Sequence, residues 1–259
     1  MTFSDAQLQD WLQAAFWPFV RIGGVMMTAP VIGERFAPAR VRLIVALVLL
    51  MAILPVLPAR PAIPVFSSAW WMAGVEELGL GVLIGFLLRL VFEAMMLAGE
   101  VIGYGMGLGF ARLADPVHGT DAPVLGSLLR LLAMLVFLTL GGHLQLIQML
   151  AGSFRVAPAG AAVLHPQMFE STAELGKILF SGALAVALPI AAAMLVVNIA
   201  FGVMNRSAPT LNAVSVGFPI SLLAGMVLLG VDLRPMLGHF RSLLDTGWSA
   251  LGALIDAAH

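Results

Sequence analysis

The chain has 259 residues, 61% of them hydrophobic and 10% charged, with a mean hydropathy of +1.02; because soluble domains carry about 25% charged residues, this composition indicates a membrane protein. The formal net charge is −1 and the 13 lysines and arginines form no basic stripe, which argues against a nucleic-acid partner. The absence of cysteine excludes disulfides and thiolate metal sites.

The chain begins Met1-Thr-Phe-Ser-Asp5 without a basic segment, so we expect no cleavable signal peptide and insertion through the first apolar helix. A helix needs about 20 predominantly apolar residues to cross a bilayer. Six apolar runs approach or meet that length, and Arg21, Arg89 and Glu93 interrupt two of them. The runs lie at residues 11–33, 43–59, 78–99, 131–154, 178–205 and 207–231.

Prolines cut most of these runs, and Pro189 and Pro219 stand deep inside two of them. An internal proline removes a backbone hydrogen bond and kinks a helix, and at membrane depth the freed groups need partners in protein. Lysine and arginine divide equally between alternate loops, so their distribution gives no orientation. Both features favour bent hairpins packed against partner subunits; a misplaced segment is the alternative.

The connectors complete the expected fold. The proline-rich stretch 55–64 and the more polar stretch 155–176 are predicted to be non-helical, and neither is typical of a linker between independent domains. We therefore predict an all-α, membrane-class protein of about six broken or kinked apolar helices, which form bent hairpins in a single domain over residues 1–259.

Ionisable side chains stand in the third apolar run. Arg89 and Glu93 are i,i+4 neighbours on a helix, and Glu100 lies two turns further near the same face. Charged groups in apolar helices are costly, so they usually pair or face an aqueous path. The sequence allows two roles for these residues: a buried ion pair that fixes helix packing, or a role in gating. A proton relay is a third possibility, weakened because the other long runs offer few acids.

In the segment 103–110, glycine alternates with the large residues Tyr, Met, Leu and Phe. Each glycine costs a helix about 1 kcal/mol relative to alanine, so a regular helix is marginal here without packing partners. If helical, the segment allows close backbone approach; otherwise it is a pliable loop suited to a plug or constriction. The residues concerned are Gly103, Gly105, Gly107 and Gly109, with the bulky Met106, Leu108 and Phe110.

Catalytic signatures are missing. The glycine-rich segment does not fit G-x-G-x-x-G, Gly176-Lys177 lacks a following serine or threonine, and there is no H-E-x-x-H or G-x-S-x-G. We expect no enzyme activity and no cofactor. Asp115, His118 and Asp121 could offer ligands to a cation, but the Asp-Pro start and nearby glycine are typical of a solvated turn, so no metal site is predicted.

Three groups of residues follow one another along almost the whole chain. The N-terminal group is Arg21, Pro30, Gly33, Pro38 and Arg42. The central group is Ala98, Gly99, Glu100, the Met-Gly-Leu-Gly run from Met106, and Asp115 with Pro116. The C-terminal group is Asn205, Arg206, Pro209, Asn212, Gly217 and Pro219. Together they resemble the signatures of the FliR family of the flagellar type III export gate.

This resemblance implies a core gate subunit that assembles with FliP and FliQ, is contacted by FlhB and passes unfolded flagellar subunits outward. It implies a place in the bacterial inner membrane at the flagellar basal body, with part of the assembly on the periplasmic side. The segment Val216-Gly-Phe-Pro-Ile-Ser221 resembles the flagellar branch. The alternative is a gate subunit like the virulence homologue SctT.

The resemblance also assigns roles. It implies a pore plug from Met106 to about Asp121, in which the glycines supply flexibility and the bulky apolar residues supply the seal. Arg89 with Glu93 would order the helix leading in. Catalysis would lie in other subunits. The competing function is a free-standing, proton-coupled secondary transporter with Glu93 and Glu100 as proton carriers.

Overall fold

A computed structural model describes residues 5–30, 33, 38–58, 63–109, 124–207 and 217–258. Within these ranges the chain forms seven α-helices and no strand, which confirms the all-α class. The helices are α1 (Asp5–Thr28), α2 (Ala39–Ile53), α3 (Ser68–Gly105), α4 (Val124–Thr139), α5 (Gly142–Val156), α6 (Pro166–Ser207) and α7 (Phe218–Asp256), and a 3-10 turn (Leu54–Val56) follows α2.

The apolar run 131–154 forms parts of two helices, which accounts for seven helices where about six were expected. Gly141 adopts φ +72°, a left-handed conformation that glycine accepts without steric cost. Its amide nitrogen donates to Leu138 O at 3.1 Å, closing a turn between α4 and α5. The chain bends by 68° there.

The prolines act differently from one another. Pro189 lies inside α6, and the kink expected there stays a prediction. The expectation that Pro219 interrupts a helix is wrong, because it is the second residue of α7, where a backbone amide has no intrahelical acceptor to lose. The second connector is shorter than predicted and spans 157–165, since α5 continues to its end at Val156 and α6 starts at Pro166.

Four helical segments in the described part of the chain are long and apolar enough to cross a membrane, and the bent pair α4 and α5 could add a fifth span. Burial separates α3 from the others: 67% of its apolar window is buried inside the chain, against 17% for α2 and 22% for α6 and α7. α3 is therefore largely buried, whereas most of the apolar surface of α2, α6 and α7 is exposed in the single chain.

The chain forms two compact units that are not contiguous in sequence. Unit 1 comprises Met1–Leu90, Phe137–Gly176 and Thr246–His259, and unit 2 comprises Val91–Val136 and Lys177–Asp245. Four helices, α3, α4, α6 and α7, contribute to both units without interruption. A single domain over residues 1–259 stays a prediction.

In unit 1, α1 and α3 approach so closely that only glycine fits between them. A Cβ atom added at Gly24 would lie 2.8 Å from Leu78 O, and one added at Gly81 would collide with Arg21 O. One turn further along, Thr28 Oγ1 donates to Val82 O at 3.1 Å. This contact brings the backbones together and aligns α1 with the N-terminal half of α3.

A buried ion pair lies at the centre of this contact. Arg21 and Glu77 are both 0% exposed, and Arg21 Nε and Nη2 donate to Glu77 Oε2 and Oε1 at 2.5 and 2.9 Å. Nη1 donates to Ser153 Oγ at 3.0 Å and Nη2 also donates to Ala157 O at 2.9 Å. Gly160 N donates to Glu77 Oε1 at 2.8 Å. The pair therefore joins α1, α3, α5 and the connector after α5.

Removing the carboxylate of Glu77 should destabilise unit 1 strongly. Glu77→Ala leaves the Arg21 guanidinium buried without a counter-charge, which we expect to lower stability by about 3–5 kcal/mol. The loss is measured as the fraction of detergent-purified protein that stays monodisperse during heating. Glu76→Ala is the matched control, because its side chain is only partly buried. Equal loss in both variants would contradict the assignment.

A double replacement tests whether charge itself is needed. Arg21→Met with Glu77→Leu removes both charges and keeps apolar volume, so we expect it to recover most of the stability lost in Glu77→Ala. The comparison uses the same heating assay. A double variant as unstable as the single one would show that the hydrogen bonds to Ser153, Ala157 and Gly160 matter more than charge balance.

Candidate functional site

The end of α3, in unit 2, is closed by a glycine cap. Gly107 N donates to Tyr104 O and Leu108 N donates to Gly103 O, both at 3.0 Å. These two bonds form the Schellman pattern, which satisfies the last carbonyl groups of a helix and places a left-handed residue just beyond its end. Gly107 is that residue, with φ +81°.

The glycine-rich segment thus has two local structures. Gly103 and Gly105 are helical, whereas Gly107 belongs to the cap and Gly109 follows it. Leu108 folds back toward the helix: a Cβ atom added at Gly103 would lie 3.5 Å from Leu108 Cδ1. The helix and loop interpretations therefore each hold for part of the segment.

Met106 is the buried residue of this cap, only 1% exposed. Its side chain lies against Gly225 of α7, where an added Cβ atom would be 2.7 Å from Met106 Sδ. On the neighbouring residue, a Cβ atom added at Gly105 would be 3.4 Å from Met194 Cβ of α6. The end of α3 therefore packs against α6 and α7, and we call the contact of Met106 with Gly225 the methionine seat.

Polar groups reinforce the methionine seat. Asn198 Nδ2 of α6 donates to Gly105 O at 3.0 Å, which satisfies a carbonyl at the helix end. Ser221 Oγ of α7 donates to Asn198 Oδ1 at 3.3 Å. The two bonds connect three helices through the amide side chain of Asn198, and they fix the orientation of that amide.

Another close approach lies two turns earlier in α3. A Cβ atom added at Gly99 would be 2.6 Å from Gly126 Cα of α4, and one added at Gly126 would be 2.7 Å from Met96 O. Only small residues permit backbones to come this near. Gly99 therefore serves tight helix packing, the alternative that the sequence left open.

The ionisable residues of α3 lie in differing environments. Glu93 is paired with Arg130 of α4, Oε1 to Nη2 at 3.4 Å, and Arg130 Nη1 lies 3.6 Å from Met96 Sδ. Glu93 and Glu100 are half-buried, whereas Arg89 is exposed in the single chain, so the group is not buried as a whole. The Glu93 and Arg130 pair supports a role in helix packing.

The remaining predicted residues mark helix ends. Pro30 is buried just after α1, and Gly33 N donates to Ala29 O at 2.8 Å. Asn205 and Arg206 lie in the last turn of α6, and Gly217 and Pro219 lie at the start of α7. The predictions for Phe110, Asp115, Pro116, His118, Asp121, Pro209 and Asn212 fall outside the described residues.

Several residues of the site were not predicted. Arg130, Ser221 and Gly225 contribute contacts that join separate helices, and no local pattern reveals such partners. Arg130 could have been suspected, because a charged residue beside an apolar run needs a counter-charge. In the described ranges no three His, Asp or Glu side chains come together as metal ligands.

Comparison with known proteins gives one consistent result. Residues 12–247 match the family described as bacterial export proteins, family 1. The chain is 39% identical to the flagellar biosynthetic protein FliR of Escherichia coli K12, over 92% of this chain and 90% of the relative, and 38% identical to that of Pectobacterium carotovorum, over 93% and 91%. The FliR of Bacillus subtilis is 25% identical, over 85% and 86%.

Adding one methyl group at Gly107 tests its role in capping α3. Gly107→Ala forces a side chain into a left-handed conformation, which should cost about 1 kcal/mol and loosen the end of α3. Gly103→Ala is the control, because its added Cβ atom would make only ordinary contacts at 3.5 Å or more. Hydrogen exchange of the α3 end should rise in Gly107→Ala alone. Similar exchange in both variants would rule out the capping role.

Proposed function

The chain belongs to the FliR family of bacterial export proteins, and from this premise we propose that it is a core subunit of the flagellar type III protein export gate. With FliP and FliQ it forms the channel for unfolded flagellar subunits, in contact with FlhB. The observation that carries this proposal is similarity to the flagellar relatives over more than nine-tenths of the chain.

The apolar surface of unit 2 supports a multi-subunit gate. Large apolar side chains of α6 and α7 are exposed in the single chain. Surfaces of this extent mark contacts with protein or lipid. Among them are Leu195, Val196, Ile199, Val203, Leu223, Val227 and Val231.

The methionine seat supports a gate at the end of α3. A closed gate needs an apolar seal on a backbone that can be released, and here Met106 is buried beside a glycine cap held by a few hydrogen bonds. The cap leads directly into the segment 110–123. The plug of the gate would comprise Gly103, Gly105, Met106, Gly107, Leu108, Gly109, Phe110, Asp115 and Pro116.

The ion pair of Glu93 with Arg130 holds α3 against α4 ahead of this plug. In the gate it would keep the helix leading to the plug in register, together with Arg89 and Glu100. A free-standing transporter with Glu93 as proton carrier is less well supported, because Glu93 forms an ion pair with Arg130 that joins α3 to α4.

The gate would lie in the bacterial inner membrane at the flagellar basal body, with part of it on the periplasmic side. Several membrane-capable helices support the membrane location. The subunit would perform no catalysis itself and would bind no cofactor or nucleic acid. A role in a virulence secretion gate of the SctT type is disfavoured by the flagellar names of the similar relatives.

Purification from native membranes tests the subunit assignment. The chain, tagged at its C-terminus, should retain FliP-like and FliQ-like proteins, identified by mass spectrometry. A homo-oligomer or monomer that alone transports protons in liposomes would instead support the transporter. In that case Glu93→Gln and Glu100→Gln should abolish the transport.

The plug is tested by its removal. Deleting residues 106–115 from an assembled gate should open a path for small solutes, because the seal and the cap are lost together. Solute uptake into cells expressing the gate is the measurement, and Met106→Leu, which keeps the apolar volume, is the matched control that should stay closed. If the deletion variant assembles and does not leak, Met106 and its neighbours do not form the seal.

A further inference from the structure

Two polar residues stand alone in the apolar runs of α6 and α7. Asn198 is the only polar residue between positions 182 and 204, and Ser221 is the only one between 218 and 231. A polar side chain in such a run is costly unless it bonds to protein, and asparagine and serine commonly form such bonds between helices. The structure brings both residues to the end of α3, within unit 2.

The carbonyl group of Gly105 gives the asparagine a specific task. The two hydrogen bonds of the glycine cap end on Gly103 O and Tyr104 O, so neither of them satisfies Gly105 O. Asn198 Nδ2 donates to Gly105 O at 3.0 Å. A carbonyl without a donor in apolar surroundings is costly. The side chain of α6 therefore completes a helix end that the backbone cap satisfies only in part.

Chemistry allows one orientation of the Asn198 amide. A carbonyl oxygen can only accept, so the amide nitrogen must face Gly105 O. The amide oxygen then faces α7, where Ser221 Oγ donates to Asn198 Oδ1 at 3.3 Å. Turning the amide over would place two acceptors against each other at Gly105. The serine therefore helps to keep the amide in the orientation that bonds to α3, and we call the two bonds the asparagine link.

The asparagine link adjoins the apolar contacts of the α3 end. Met194 lies one turn before Asn198, and a Cβ atom added at Gly105 would lie 3.4 Å from Met194 Cβ. Gly225 of the methionine seat lies one turn after Ser221. Residues four apart share a face of a helix. One face of α6 and one face of α7 therefore each offer a polar and an apolar contact to the same end of α3.

Burial differs along the asparagine link. Ser221 is 7% exposed, whereas Asn198 is exposed in the single chain. The bond from Asn198 to Gly105 O therefore lies at the surface of the single chain. It can break without opening the packed interior of unit 2, in contrast to the contact of the buried Met106 with Gly225.

We propose that Asn198 is a positioning residue for the end of α3, and that it acts only while Ser221 orients its amide. A displacement of α7 from α6 would free the amide, leave Gly105 O without its donor and loosen the cap that carries Met106. The consequence for the plug rests on the proposed function, because it assumes that this helix end leads into the plug. The position of α7 would thus control the release of the plug.

Helix packing alone accounts less well for the asparagine link. Met194 and Gly225 already provide apolar contacts on the same faces. Leucine has nearly the shape of asparagine, and it would pack in an apolar run without a polar group that needs partners. Packing and the asparagine link therefore predict different behaviour when leucine replaces Asn198.

Hydrogen exchange of the full chain, purified with the partners that it retains, measures the link without any export assay. In Asn198→Leu, exchange of the amides at 106–108 should be several-fold faster, and Ser221→Ala should cause a smaller increase. Ser181→Ala is the matched control, because Ser181 Oγ donates to Lys177 O of its own helix. Exchange in this control should be unchanged.

A double variant tests whether the serine acts through the asparagine. Asn198→Leu with Ser221→Ala should exchange no faster than Asn198→Leu alone, and Ser221→Thr, which keeps the hydroxyl group, should retain slow exchange. Unchanged exchange in Asn198→Leu would overturn the proposal. A double variant that exchanges much faster than Asn198→Leu would overturn it as well, since the serine would then act independently.

Leakage of small solutes into cells expressing the gate separates this inference from the proposed function. Asn198→Leu should leak more than Ser221→Ala, and Ser181→Ala should stay closed. If exchange changes as expected but neither these variants nor the deletion of 106–115 leak, the plug is wrongly assigned and the role of Asn198 at the α3 end stands. If the deletion leaks while Asn198→Leu changes neither exchange nor leakage, the plug stands and the role of Asn198 is refuted.

Discussion

The bidentate pair of Arg21 with Glu77 is the constraint on which the described part of unit 1 depends. Two charges removed from water cost several kcal/mol each, and only complete hydrogen bonding with good geometry offsets that cost. Here Ser153, the carbonyl of Ala157 and the amide of Gly160 complete the set. The network therefore fixes the axial position of α1 against α3 and holds the connector after α5. It also gives the arginine of the N-terminal signature a structural role.

α3 links this fixed contact to a helix end that is held by fewer polar contacts. The helix leaves unit 1 after Leu90 and continues through unit 2 to Gly105. Its first half is held by a buried ion pair and backbone contacts, whereas its end is held by a glycine cap, one asparagine and the seat of Met106. In the proposed gate, opening would break only the weaker set of contacts and leave the first set in place.

Local patterns in the sequence predicted the helical class and the place of a connector within 155–176, although residues 166–176 of that stretch are helical. Apolar runs and prolines act over short distances, so they carry this information. Local patterns also pointed to Arg21 and to the glycines around Met106. The partners of these residues could not be predicted: Glu77 lies 56 residues from Arg21, and Gly225 contacts Met106 across three intervening helices. The prediction that Pro219 interrupts a helix was wrong for a related reason. The first residue of α7 depends on tertiary packing, which a hydropathy profile does not report.

A reversible lock of the methionine seat tests the central claim most directly. Met106→Cys with Gly225→Cys places two thiols where the side chain of residue 106 already meets α7, and a disulfide requires such a close approach of two side chains. We expect export of a flagellar substrate to stop when the pair is oxidised and to resume on reduction, whereas Met106→Cys alone exports in both conditions. Full export by gates shown to be completely cross-linked would contradict release of Met106 during export.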